Sequence, residues 1–188
     1  MKIQIIIGSV RKGRRAEAVA KWIYSLAGEI KDVEFELVDL KDYPLPFYEE
    51  SGSPRMLNDL IPVAKKWREK VQEADGYIMV APEYNHGYPA VLKNALDYTY
   101  FSWNNKAVGF VSYGTVGGAR AVEQLRLVAI ELQMAPIQQS VNLMMVHTLF
   151  DENGKMKDDS HDKHVHSFLE QLVFWTKALK EARETNGS

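Results

Sequence analysis

Residues 2–29, KIQIIIGSVRKGRRAEAVAKWIYSLAGE, contain the unit from which the chain is built. The run from Lys2 to Gly8 is apolar and rich in isoleucine, as in a strand buried on both faces. From residue 14 the pattern changes, and Ala18, Trp22 and Leu26 fall four apart, the spacing of one helix face. Between strand and helix, Arg11, Lys12, Arg14 and Arg15 put four cations within five positions. A helix start carries partial positive charge, so basic side chains are disfavoured there. A bound phosphate reverses that penalty. Gly8 lets the chain turn tightly, and Ser9 can donate to a phosphate oxygen. Amides of the helix start point the same way, and arginine grips phosphate with two parallel hydrogen bonds. The plain alternative is a solvated basic patch on a surface turn. Neither G-x-x-x-x-G-K-[ST] nor G-x-G-x-x-G occurs, which argues against a nucleoside-triphosphate loop and the usual dinucleotide fingerprint.

The same alternation continues outward. Residues 33–40 (VEFELVDL) read as a strand, and residues 43–55 as a Pro- and Gly-rich loop. Residues 56–74 read as a helix with Pro62 near its first turn. Residues 76–82 (GYIMVAP) form a strand ending at Pro82, and residues 89–100 a helix opened by Pro89. Residues 106–114 are a strand, 117–134 a helix and 135–145 a short last strand. A polar turn over residues 150–159 precedes a terminal helix over about 158–183, and TNGS frays beyond it. Strands alternating with helices imply a parallel sheet covered on both faces. The fold class is α/β: a flavodoxin-like, doubly wound, five-stranded parallel sheet with helices on both faces. Residues 1–188 read as one domain without repeats or low-complexity tracts. In such sheets ligands sit beyond the carboxyl ends of the strands. The loops after Gly8, Ala81 and Tyr113 occupy that position.

Bulk properties exclude several classes. The 188 residues are 46% hydrophobic with a formal net charge of −2. That balance argues against a nucleic-acid partner. There is no cysteine, so disulfides, thiol nucleophiles and thiolate metal sites are excluded. No apolar run approaches the roughly 18–20 residues of a membrane span. MKIQIII lacks the features of a signal peptide, so a cytoplasmic location is expected. His161, His164 and His166 lie together but read as a solvated polar patch, not a metal site.

The second loop, in VAPEYNHGYPAVLKNALDY, carries Pro82, Glu83, Tyr84, Asn85, His86 and Gly87 between a strand and a helix. Tyr84 can stack on a ring, and the amides of Asn85, His86 and Gly87 can bond a heterocycle edge. The plain readings are surface packing for Tyr84, a solvated ring for His86 and amide capping for Glu83. Lys93 and Asp97, four apart, read as a helix-surface ion pair. In the third loop, Gly117 and Gly118 leave the next helix's amides facing the site, or simply make the connection.

GSVRKG, PEYNHGYPAVLKNALDY and SYGTVGGARAVEQLR, in that order from Lys2 to Val146, resemble the NADPH-dependent FMN reductase family, which includes quinone, azo-dye and chromate reductases. The resemblance implies FMN and NADPH as cofactors. Ser9 and Arg11 match phosphate-binding positions. Pro82, Glu83, Tyr84 and Asn85 match the loop bordering the isoalloxazine ring, with His86 beside them. Ser112, Tyr113 and Gly114 match the third loop. Many members carry a serine and an asparagine where this chain has Arg14 and Ala16. Arg14 or Arg15 then substitutes electrostatically or faces the NADPH phosphate.

The resemblance further implies a ping-pong cycle. NADPH reduces the flavin, and a small flat acceptor such as a quinone, azo dye, free flavin or chromate reoxidises it. No side chain serves as nucleophile or general base. It also implies a homodimer or a dimer of dimers. In that reading Tyr98, Tyr100, Phe101 and Trp103 include interface residues and a wall of the acceptor pocket; otherwise they are aromatic core. The competing functions are a flavodoxin-like electron carrier and a redox-sensing protein without rapid NADPH turnover. Carriers are usually strongly acidic, which this chain is not.

Overall fold

The computed structural model describes residues 1–53, 55, 56 and 60–186. Strands β1 (Lys2–Ile7), β2 (Glu34–Asp39), β3 (Gly76–Pro82), β4 (Ala107–Gly114) and β5 (Ala135–Met144) form one sheet in the order β2-β1-β3-β4-β5. Every neighbouring pair is parallel, which is the flavodoxin-like doubly wound arrangement. Helices α1 (Ala16–Ala27) and α6 (Asp162–Asn186) pack on one face. The other face carries α2 (Pro62–Gln72), α3 (Ala90–Asp97) and α4 (Ala119–Glu131).

The isoleucine run explains itself in this setting. Side chains alternate along a strand, so Ile3, Ile5 and Ile7 meet α1 and α6 while Ile6 meets the other layer. Gln4 is the polar exception on the second face. Its Nε2 donates to Lys70 O at 2.8 Å and to Glu36 at 3.2 Å.

Several boundaries differ from the sequence reading for local reasons. Helix α1 starts at Ala16, because Arg14 N–H first closes a turn onto Arg11 O at 3.2 Å. Helix α2 starts at Pro62, whose fixed φ and missing N–H suit a first turn; the expected helical residues 57–59 lie outside the described residues. Pro89 stands in extended backbone just before α3. The last strand has ten residues and is not short. Its pairing with β4 shifts register between Pro136 and Ser140, and side chains serve the backbone of that irregularity: Arg126 donates to Ile137 O and Gln138 O at 2.6 and 2.8 Å, and Gln139 N–H donates to Gln171 at 2.9 Å. A short helix, α5 (Val146–Leu149), follows β5. Helix α6 runs on to Asn186, anchored by Lys180 and Arg183 on Asp75; Gly187 and Ser188 lie outside the described residues.

Tyr98, Tyr100 and Trp103 are buried, and only Phe101 of that segment is open, at 67% exposure. Trp103 packs between Tyr77 and Trp67, at ring separations of 4.8 and 6.1 Å. This aromatic layer is core and lies at the amino end of β4, away from the strand ends that the site uses. Lys93 and Asp97 form the expected pair, at 2.8 and 2.6 Å.

Lys106 is buried in the same region. Its Nζ donates to the Tyr77 hydroxyl at 3.0 Å and to Gln72 O at 3.3 Å. Burial, with repulsion from Arg183 added and attraction to Asp75 opposing, pulls its pKa down to about 8 from 10.5. Between those values the unfolded chain binds more protons than the folded one, so stability rises with pH across that window. Lys106→Met is expected to remove this rise, worth up to about 3 kcal/mol. Urea midpoints of both proteins from pH 7 to pH 10 measure it; parallel profiles contradict it.

Candidate active site at the carboxyl edge of the sheet

The loops after β1, β3 and β4 enclose a cavity of about 490 Å³. Arg11, Gly13, Arg14 and Arg15 line one wall, Pro82, Glu83 and Tyr84 a second, and Tyr113 and Gly114 the floor. Val146 and His147, from α5, close the remaining side. Another cavity, of about 370 Å³, lies beside Trp22 and Met156. It is off the strand ends and gathers none of the expected residues.

The first loop is held in shape from beneath. Gly8 N–H donates to Val80 O at 2.8 Å, and Gly13 makes its turn at φ +66° with open space before it. Arg14 is 4% exposed and works as a brace. Its Nη1 donates to Ser9 O at 2.6 Å and to Asp39 at 2.7 Å, and its Nη2 reaches the other Asp39 oxygen and Glu17. Strand register explains the pairing, because β1 and β2 end level, with Ile7 opposite Asp39. Burial, the largest influence, would raise the Asp39 carboxyl, but the Arg14 hydrogen bonds, the Lys41 amide and the charges of both cations together outweigh it and hold it below the usual carboxylate range. Those bonds in turn raise the pKa of Arg14. The guanidinium, expected to face a phosphate, is therefore largely committed to the protein. Only its Nε remains, buried and without a partner among the described residues.

Ser9 is buried, with its Oγ 3.0 Å from the Tyr84 hydroxyl. With Tyr84 as donor, Ser9 keeps its own proton to give. The Arg11 guanidinium lies 5.9 Å from the Tyr84 ring. Arg11 and Arg15 are exposed. No side chain caps α1, so its first amides face the loop. Ala16 is buried. Burial drives the Tyr113 pKa upward, with Tyr84 adding and Arg11 opposing, so the phenol stays protonated.

The second loop is a two-residue hairpin. Tyr84 N–H donates to Gly87 O at 2.8 Å, and Gly87 N–H to Tyr84 O at 3.0 Å. Asn85 and His86 take φ of +50° and +69°, as such turns require. The Gly87 amide, expected to face a ring, is thus consumed within the hairpin. Glu83 has its carboxylate at the start of α4, where it accepts from the Arg120 amide at 3.2 Å and from Arg120 Nε at 2.6 Å. The Arg120 bonds outweigh the effect of burial and hold Glu83 below its ordinary pKa. The first-turn amides of α4 are therefore taken by Glu83 and do not face the cavity. Arg120 also donates to His86 Nε2 at 2.8 Å, and Gln124 to His86 O at 2.7 Å. An arginine only donates, so His86 accepts through Nε2.

Ser112 is fully buried and donates to Ala81 O at 2.6 Å. It supports the site and does not line it. Gly118, at φ +77°, lies so close that an added Cβ would stand 1.9 Å from the Ser112 hydroxyl. Arg120, Gln124, Asp39 and His147 escaped the sequence reading. Arg120 stood in the GGAR of a quoted motif, but its partners lie 34 and 37 residues away. The three terminal histidines disperse: His161 packs on Trp22, His164 bonds Ser140 O and His166 faces Glu29.

The donor set fits a phosphate monoester attached to a flat ring. One wall offers free guanidinium groups, helix-start amides and a buried Nε lacking an acceptor, with the buried Ser9 hydroxyl behind it against Tyr84. The other offers Tyr84, Tyr113 and backbone. Fold and site together define a flavodoxin-like flavin-binding class. A family model for NADPH-dependent FMN reductases matches residues 1–148. The chain is 36% identical over 190 residues to an NAD(P)H-dependent FMN reductase of Schizosaccharomyces pombe, covering 99% of this chain and 87% of that protein. It is 29% identical over 185 residues to a 2-hydroxy-1,4-benzoquinone reductase of a Burkholderia species, covering 94% and 97%. Among solved structures, FerB of Paracoccus denitrificans, a flavoenzyme NAD(P)H:(acceptor) oxidoreductase, superposes with a TM-score of 0.78 at 22% identity, covering 94% and 97%. The chain belongs to the NADPH-dependent FMN reductase family.

Proposed function

We propose that this protein is an FMN-dependent NAD(P)H oxidoreductase that passes electrons by a ping-pong cycle to quinones or similar flat acceptors. The observation that carries the reading is the cavity itself, with its cationic wall facing Tyr84 and Tyr113 at the carboxyl edge of the sheet. Ser9, Arg11, the Arg14 Nε and the α1 amides hold the FMN phosphate. Pro82, Glu83, Tyr84 and Asn85 border the ring through backbone and the Tyr84 side chain, with Tyr113 and Gly114 below. Bound FMN supplies the hydride and electron transfer. The protein binds, orients and excludes water, and the Asn85 and His86 amides are donors for negative charge on the ring. No side chain acts as nucleophile or general base.

The whole chain serves as one FMN-binding domain. Among the described residues no helix is long and apolar enough to cross a membrane, and we place the protein in the cytoplasm, where NADPH is supplied. We also propose that it works as a homodimer or a dimer of dimers. Phe101, Leu127 and Ile130, each more than 60% exposed, are the apolar side chains we assign to contact with a second copy.

The test is turnover. FMN-loaded protein is expected to oxidise NADPH with a quinone as acceptor, in parallel-line kinetics. An electron carrier leaves NADPH untouched. Arg11→Ala is expected to weaken FMN binding about tenfold at low salt and less at high salt, since the contact is exposed and screened. A salt-independent loss, or none, removes Arg11 from the phosphate site.

A further inference from the structure

The Arg120 clamp fixes more than the shape of the hairpin. Glu83, 4% exposed at its side chain, accepts from Arg120 Nε at 2.6 Å and from the Arg120 amide at 3.2 Å. That orients the guanidinium and aims its Nη1 at His86 Nε2, 2.8 Å away. Gln124 holds the carbonyl of the same residue at 2.7 Å. A guanidinium has no lone pair to offer, so Nε2 must accept. A neutral imidazole carries a single N–H, and here that proton stands on Nδ1. Nδ1 itself is bonded to nothing among the described residues, and the ring is exposed. His147, on the cavity wall, makes no side-chain bond among the described residues, so nothing selects its tautomer.

His86 stands outside the cavity, on the hairpin whose Tyr84 lines it, and its partner Arg120 is held by Glu83, which lines it too. With the cavity taken by flavin, an electron acceptor approaches from outside and meets this lip. A quinone that takes a hydride becomes a hydroquinone anion, with new negative charge on one oxygen; a proton then completes the product. A donor set in place before that charge forms lowers the barrier. We infer that His86 Nδ1–H donates a hydrogen bond to the acceptor oxygen on which this charge develops, and that Arg120 is the positioning residue that fixes the tautomer. The inference rests on the oxidoreductase reading above and gives its acceptors a common feature, a carbonyl oxygen. His86 keeps its proton throughout. Releasing it would leave an imidazolate with both nitrogens bare, so the proton that completes the product comes from water.

Two readouts test it. Nitrogen-15 NMR of the labelled protein is expected to show His86 protonated on Nδ1, and to show that signature lost in Arg120→Ala. A wild-type ring protonated on Nε2 overturns the inference, and so does a signature that Arg120→Ala leaves intact. The second readout is acceptor choice at saturating FMN: the ratio of kcat/KM for 1,4-benzoquinone to that for ferricyanide, which takes electrons singly and has no carbonyl oxygen. His86→Ala lowers this ratio about tenfold. Asparagine places its amide nitrogen where Nδ1 stands and tolerates the φ of +69°, so His86→Asn keeps most of the ratio. Glutamine places its oxygen where Nε2 stands and still accepts from Arg120, but has no donor at the Nδ1 position. His86→Gln therefore falls as far as His86→Ala. The reverse order, with glutamine active and asparagine not, would make His86 a hairpin clamp alone and overturn the inference, as would equal ratios in all variants. Failure of the wider reading looks different: wild-type protein then oxidises NADPH with neither acceptor, whatever the tautomer.

Discussion

Arg14→Ala is expected to lower the unfolding free energy by about 3–5 kcal/mol and to abolish FMN retention, the largest effect of any single change at this site. The substitution leaves the Asp39 carboxylate, 23% exposed at its side chain, without its cation, and the Ser9 carbonyl without its donor. Both groups belong to the frame of the first loop, so the loop loses its shape along with its stability. Arg14→Lys rescues little, because one ammonium cannot give paired bonds to Asp39 and a further bond to Ser9 O in the same plane. Removing both partners, as in Arg14→Ala with Asp39→Ala, costs less than the sum of the single changes, since the uncompensated charge is gone. Urea denaturation of the four proteins measures the cycle. A loss below about 1 kcal/mol in Arg14→Ala would mean that the brace is ornamental. The effect is also less sensitive to salt than the exposed contact of Arg11, because Arg14 is buried and Asp39 only partly exposed.

Glu83→Ala is the second large effect, about 2–4 kcal/mol in stability. It removes a carboxylate that caps α4 and receives the Arg120 side chain. A lost cap costs about 0.5–2 kcal/mol, and a charge-assisted hydrogen bond about 1.5–3 kcal/mol. Arg120 is partly exposed and regains water, which limits the total. Arg120 also holds His86, so the hairpin carrying Tyr84 and Asn85 loosens, and FMN affinity is expected to fall by about tenfold or more. The pH dependence has a definite sign. Glu83 is held below its ordinary pKa of 4.5, so its contribution is complete above that value and is lost as pH falls below it. Acid unfolding of Glu83→Ala is therefore flatter below pH 4.5 than that of wild type. Equal FMN affinity in the two proteins would show that the clamp does not order the hairpin.

Sequence alone was enough for the frame because the frame is written in local periodicity. Ile3 to Ile7, apart from Gln4, are apolar on both faces, as a doubly covered strand requires, and Gly8 followed by cations marks the strand end that faces ligand. The hairpin residues Glu83 to His86 were found for the same reason, as a turn between a strand and a helix. What escaped was pairing at a distance. Nothing near Arg14 announces Asp39, 25 residues away; only the level ends of β1 and β2 bring them together. The sequence put four cations within five positions and left Arg14 and Arg15 open between two phosphates, yet burial separates Arg14, a structural brace, from Arg11 and Arg15, which stay exposed. Glu83 and Arg120 likewise meet only because β3 and β4 end side by side, with Pro82 opposite Tyr113. Ser112 fits its motif but points into the protein, since strand alternation sets its face. His147 carried no signal, as its place depends on the turn at Met145, where φ is +49°.

The account stands on the cationic loop gripping the phosphate of FMN. Titrating the apoprotein with FMN and with riboflavin, and following flavin fluorescence, isolates that group, because the two ligands share every other atom of ring and ribityl chain. The expected result is FMN binding about a hundredfold more tightly than riboflavin, with the difference shrinking as salt rises. Equal affinity for the two flavins would contradict it.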